Sequence, residues 1–153
     1  MTNRRPRRLP DFDYRGKHRY FVTCCVSERR TVFTTADRVD CVRQQILRTC
    51  LERGFEEIAS VYMPDHVHGL FRGMRDDAAF VPFMTVLRQR TAISYKKLAG
   101  ELLWQEGYFD RILRLNDDTC VWVAYILQNP VRAQLVERPE DYPFSFRGDD
   151  PDI

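Results

Sequence analysis

Apolar and polar residues alternate along the chain in two periods, and the changes between them mark the elements. Residues 19–26 (RYFVTCCV) are aromatic and β-branched and predict a strand. Val39, Val42, Ile46 and Cys50 then recur at helical spacing. They predict a helix that starts near Ala36, with Thr34 as its cap, and closes at Gly54. Residues 56–63 and 66–72 predict an antiparallel strand pair joined by the short turn Pro64-Asp65. A second helix is expected over 81–99, with Met84, Leu87, Tyr95 and Leu98 on one side and Gly100 at its end. A fourth strand is expected over 108–114. A third helix follows, capped by Asn116, with Asp117 and Asp118 in its first turn and Pro130 at its stop. The rest is turn-rich, with Tyr142-Pro143-Phe144 as a packing anchor.

This order, β-α-β-β-α-β-α, predicts an α+β fold: a ferredoxin-like β-α-β-β-α-β sandwich followed by a C-terminal helix that carries Tyr125. Both crossover helices should cover one sheet face. The other face is left for a ligand or for the third helix.

At 153 residues and 44% hydrophobic, the chain suits one compact domain. No apolar run approaches the roughly 20 residues of a membrane span, so no membrane partner is expected. Five cysteines, odd in number and without a C-x-x-C pair, suggest reduced and mostly buried thiols in a cytoplasmic protein. Net charge is +2 but unevenly spread. Residues 1–30 carry nine basic and three acidic side chains, and residues 137–153 carry two basic and six acidic. The expected layout is therefore a basic arm over 1–17, one domain over 18–147 and an acidic tail over 148–153. A basic arm on a near-neutral body points to a polyanion partner, or else to a solvated tail.

The candidate chemistry starts from His66-Val67-His68. Strand alternation puts both imidazoles on one face, where they can converge on one metal ion, with Val67 turned into the core beside Gly69 and Phe71. A bare H-x-H is a weak signal, and two surface histidines would look the same. Tyr125 and Asn129, four apart, share a helical face that can meet them. Taken alone, Tyr125 is more often a packing residue.

Together these segments resemble a known family. Tyr62-Met63-Pro64-Asp65-His66-Val67-His68 is similar to the HUH motif of single-tyrosine insertion-sequence transposases. The resemblance is closer to the REP-associated tyrosine transposases of bacteria. Their further marks occur in order: Leu103-Trp104-Gln105 before Tyr108-Phe109-Asp110-Arg111, then the run from Tyr125 through Asn129-Pro130 to Ala133, then Tyr142-Pro143-Phe144-Ser145. The likeness covers roughly residues 18–147. The segment Cys24-Cys25-Val26-Ser27 departs from the glycine-rich turn common after the first strand.

The resemblance implies that Tyr125 is the nucleophile and that His66 and His68 hold a divalent cation, Mg²⁺ or Mn²⁺. The third ligand would be Asn129, with Gln128 as the alternative. It implies a nuclease and strand-transferase that acts on single-stranded DNA with palindromic hairpins through a 5′-phosphotyrosine. It also implies association with the bacterial nucleoid through DNA. A third helix that docks on its own sheet would favour a monomer, although relatives that exchange this helix form dimers. Candidate DNA contacts are Arg4, Arg5, Arg7 and Arg8 on the arm and Arg88, Arg90, Lys96 and Lys97 on the second helix, which could equally be a solvated face. Trp104, Tyr108 and Trp122 are candidate stacking platforms for unpaired bases, with core packing expected for at least one. A hairpin-binding protein without cleavage and a small-phosphoester hydrolase are the competing readings.

Overall fold

The computed structural model describes residues 8–153. Its elements are β1 (Arg19–Cys25), α1 (Ala36–Arg53), β2 (Phe55–Met63), β3 (His66–Gly73), α2 (Phe80–Ala99), β4 (Phe109–Ile112), α3 (Thr119–Leu127), α4 (Asn129–Arg132) and β5 (Ser145–Arg147). The sheet runs β4-β1-β3-β2-β5, every neighbouring pair antiparallel. Its first four strands have the order expected of the ferredoxin-like sandwich. The fifth, which the sequence pattern did not reveal, adds an edge.

Strand alternation sorts the side chains into two cores. On one face Tyr20, Val22, Cys24, Val67 and Phe71 meet Val39, Val42 and Ile46 of α1 and Phe80, Phe83, Met84 and Leu87 of α2. On the other, Phe21, Val61, Met63 and Leu70 meet Val123 and Ile126 of α3. Both crossover helices therefore cover one face, and α3 lies on the other. Val123 and Ile126 are 4% and 0% exposed. Burying each is worth about 1.5–3 kcal/mol, enough to hold a nine-residue helix flat on the sheet.

The helix ends follow local chemistry. Gly54 and Gly100 take left-handed φ values of 74° and 72° and close α1 and α2, as expected. Thr34 does not cap α1; the cap position falls to Thr35, whose hydroxyl pairs with Asp37. The cap of α3 is Asp118, not Asn116, and its carboxylate accepts from the Cys120 amide at 2.8 Å. Asp117 instead closes the preceding turn by accepting from the Arg114 amide at 2.7 Å. Arg19 donates to the carbonyls of Asp117 and Arg114 and to the Thr119 hydroxyl, which pins that turn beside β1. Pro130 does not end the helical stretch. The break comes after Leu127, and Pro130 sits in the first turn of α4, where its missing N–H has no cost.

The described part of the expected N-terminal arm is not free. Tyr14 packs beside the stacked Tyr20–Phe80 pair, 6.3 and 6.2 Å from the two rings, and the Gly16 amide donates to the Ala78 carbonyl at 2.9 Å. At the other end, the Gly148 amide donates to Ile58 and Asp150 bridges to Arg72 at 2.9 Å. Tyr142 is an anchor as expected: its hydroxyl donates to the Tyr62 carbonyl at 2.5 Å.

Candidate active site

The pairing register builds the site. Thr23 faces His68 and Cys25 faces His66 across β1 and β3, so all four side chains share the α3 side of the sheet. Val67 points the other way and is 6% exposed. The two imidazole rings lie 4.6 Å apart, with their Nε2 atoms 3.2 Å apart.

Each imidazole is oriented through its Nδ1. That of His66 lies 2.7 Å from Asp65 Oδ1, and that of His68 lies 2.8 Å from the Thr23 hydroxyl. Burial would raise the Asp65 carboxyl, but hydrogen bonds from His66 and Arg29 outweigh it and lower the pKa. Asp65 is therefore a carboxylate acceptor, His66 donates from Nδ1, and the lone pair of His66 Nε2 faces His68. Burial lowers the pKa of His66, opposed in part by Asp65. Burial, then the neighbouring charges of His66, Arg132 and Arg29, pushes His68 down to about 3. Both rings are neutral at physiological pH, the state a metal ligand needs.

The donor set fits a divalent cation. Two neutral imidazole nitrogens 3.2 Å apart match neighbouring positions of an octahedral shell, about 3 Å apart for bonds of 2.0–2.1 Å. Among the described residues no three His, Cys, Asp or Glu side chains form a metal-holding group.

Tyr125 is brought to this pair by α3. Its ring lies 6.5 Å from that of His68 and 6.0 Å from that of Phe21. It is 47% exposed, so its phenol is accessible to a substrate. Arg132 reaches back from α4, its guanidinium 4.1 Å from the Tyr125 ring centre and donating to the Tyr125 carbonyl at 2.6 Å. Arg132 is not among the residues singled out from the sequence, although a spacing of seven, two helical turns, puts it on the face of Tyr125. Asn129 opens α4 one turn after Tyr125 and is half-buried, while Gln128 is exposed at the joint.

The turn after β1 makes its bend without the glycines noted as missing from the sequence. Glu28 and Arg29 take left-handed φ values of 58° and 53° without a glycine. This backbone carries Arg29 Nε to within 2.9 Å of Asp65 Oδ2. Asp65 is thus held from both sides, by Arg29 and by His66.

The other candidates lie apart from the imidazoles. Arg4, Arg5 and Arg7 fall outside the described residues. Arg8 donates to the Tyr108 hydroxyl at 2.9 Å. Arg88, Arg90, Lys96 and Lys97 belong to α2, on the far side of the sheet. Arg88 donates to the Gln105 carbonyl at 2.7 Å, Arg90 pairs with Glu52 at 2.6 Å, and Lys96 and Lys97 are exposed. Trp104 is not presented to a ligand. It is 7% exposed and its indole N–H donates to Thr91 at 2.8 Å, because residues 103–105 close the end of β1 under α2. Trp122, in contrast, lies half-exposed on α3 beside Tyr125.

The chain belongs to the family described as IS200-like transposases, whose profile matches residues 15–129. It is 28% identical over 127 residues to the REP-associated tyrosine transposase of Escherichia coli K12, covering 82% of this chain and 74% of that protein. A Haemophilus influenzae relative named for the same class is 25% identical over 137 residues, covering 82% of this chain and 77% of the relative. In fold, the chain is similar to a solved REP-associated tyrosine transposase bound to a REP hairpin. That likeness has a TM-score of 0.72 at 24% identity and covers 90% of this chain and 81% of the other. Among the described residues no helix is long and apolar enough to cross a membrane.

Proposed function

We propose that this chain is a metal-dependent single-stranded DNA nuclease and strand-transferase that cuts beside DNA hairpins through a covalent tyrosine intermediate. The observation that carries this reading is the half-exposed Tyr125 ring 6.5 Å from His68, on the face where the Nε2 atoms of two neutral imidazoles lie 3.2 Å apart. Hairpin DNA as the substrate is supported by the relatives' REP association and by the solved neighbour's bound hairpin.

In this mechanism His66 and His68 would hold the cation, with Asn129, or Gln128 in its place, as the amide-oxygen ligand. Bound Mg²⁺ or Mn²⁺ would polarise the scissile phosphate and stabilise its developing negative charge. The Tyr125 oxygen attacks phosphorus, and the bond from phosphorus to the 3′ oxygen breaks. The phenol proton passes to the leaving oxygen through solvent. The products are a 5′-phosphotyrosine and a free 3′-hydroxyl. A second 3′-hydroxyl can then attack the same phosphorus and release Tyr125, so rejoining needs no nucleotide cofactor. Arg132 holds the Tyr125 ring and places positive charge beside it.

The test is incubation with single-stranded hairpin oligonucleotides and Mn²⁺, followed by denaturing electrophoresis. The reading predicts a protein–DNA adduct that is lost in Tyr125→Phe. Hairpin binding with no adduct across metals and substrates would assign a binding protein instead.

A further inference from the structure

Beside Tyr125 the sheet face opens into a pocket of about 390 Å³, lined by Phe21, Phe109, Arg111, Val121, Trp122 and Tyr125. Its volume is that of a small-ligand site, within the range of about 300–1,000 Å³. Three elements build it. Phe21 of β1 faces Arg111 across the β1–β4 pair, and Phe109 lies two residues earlier on the same side. The α3 helix supplies Val121, Trp122 and Tyr125. The Trp122 ring lies 5.2 Å from that of Phe21 and 6.4 Å from that of Tyr125. Arg111 sets its guanidinium 5.0 Å from the Trp122 ring centre.

Phe109 and Val121 remain 42% and 64% exposed here, and the docking of α3 through Val123 and Ile126 does not need them. Aromatic walls with one cation at the rim suit a flat heteroaromatic ring attached to an anion. An unpaired nucleobase with its phosphate has that chemistry.

We propose that this pocket holds the unpaired base of the nucleotide adjoining the scissile phosphate. The assignment rests on the nuclease reading of Tyr125. Because Tyr125 is both a wall and the attacking group, a base seated here lies one sugar away from the phosphorus it attacks. A paired base cannot enter without leaving its stack, so the pocket selects single-stranded DNA at the cut. Its walls are mainly ring faces, which stack on any base, so it reads the presence of a base more than its identity.

The test is equilibrium binding of the whole chain, with metal chelated, to a hairpin oligonucleotide with single-stranded flanks. An abasic site is moved through every unpaired position. One position is expected to weaken binding about ten-fold in the native chain. Trp122→Ala should lower binding of the intact oligonucleotide by a similar factor and abolish the extra loss at that position. Trp122→Phe should retain most of it, and Phe109→Ala, at an exposed strand edge, gives a second variant that keeps the fold. A position-specific loss without any adduct under turnover conditions would keep the pocket and remove the nuclease reading. Adduct formation with no position-specific loss, or equal losses in the native chain and Trp122→Ala, would overturn the pocket. So would a Trp122→Ala effect on self-association with none on DNA binding.

Discussion

Thr23 and His68 face each other across β1 and β3, with the Thr23 hydroxyl 2.8 Å from His68 Nδ1. The hydroxyl can donate to that nitrogen or accept from it. Facing the lone pair of His66 Nε2, His68 donates from its own Nε2, and its Nδ1 accepts from Thr23. A metal ligand needs the other tautomer, with the proton on Nδ1 and Thr23 accepting it. Thr23 satisfies both.

Thr23→Val should therefore weaken Mn²⁺ binding by about 10–100-fold, the usual cost of losing a partner behind a ligating histidine. Thr23→Ser should stay near the native value. Calorimetric titration of the metal measures both. Equal affinity in Thr23→Val would remove Thr23 from the site.

Acid should destabilise the metal-free protein through His68. Its folded pKa is about 3 against 6.5 in an ordinary environment. As pH falls below about 6.5 the unfolded chain takes the proton first, so native stability falls. From this group the slope approaches about 1.4 kcal/mol per pH unit until the native state also protonates near pH 3. Above pH 6.5 the contribution is complete. Urea unfolding with a chelator between pH 7.5 and 4.5 should show a smaller slope in His68→Asn than in the native chain.

Arg132→Ala should slow adduct formation about ten-fold while hairpin affinity changes little. The guanidinium lies 4.1 Å from the Tyr125 ring centre, and in the proposed reaction it would hold the ring and supply charge beside the developing transition state. Arg132→Lys should recover only part, because an ammonium lacks the planar fork. Single-turnover adduct kinetics distinguish the three proteins.

Trp104→Ala should cost about 3–5 kcal/mol in stability, as expected for a large aromatic removed from a core. Chemical denaturation checks this. A variant as stable as the native chain would contradict its buried position.

The sandwich was legible because each element carried its own period. Val39, Val42, Ile46 and Cys50 gave α1, and the alternation around Val67 put both histidines on one face. What escaped was set by tertiary contacts. Ser145–Arg147 is too short to signal a strand and forms only by pairing with Ala59–Val61. Trp104 reads as a surface aromatic until α2 covers it. Arg29 and Asp65 lie far apart in sequence, and only a left-handed turn joins them. The helix break before Asn129 was masked by Pro130, which suits the start of a helix as well as its end.

In the proposed mechanism Tyr125 becomes covalently joined to DNA beside His66 and His68. The most direct measurement is intact mass analysis after incubation with a cleavable hairpin oligonucleotide and Mn²⁺, followed by peptide mapping of the adduct. A 5′-linked nucleotide on Tyr125 is expected, absent when the metal is chelated and in His68→Ala. Cleavage that persists in full in Tyr125→Phe, or an adduct on another residue, would contradict it.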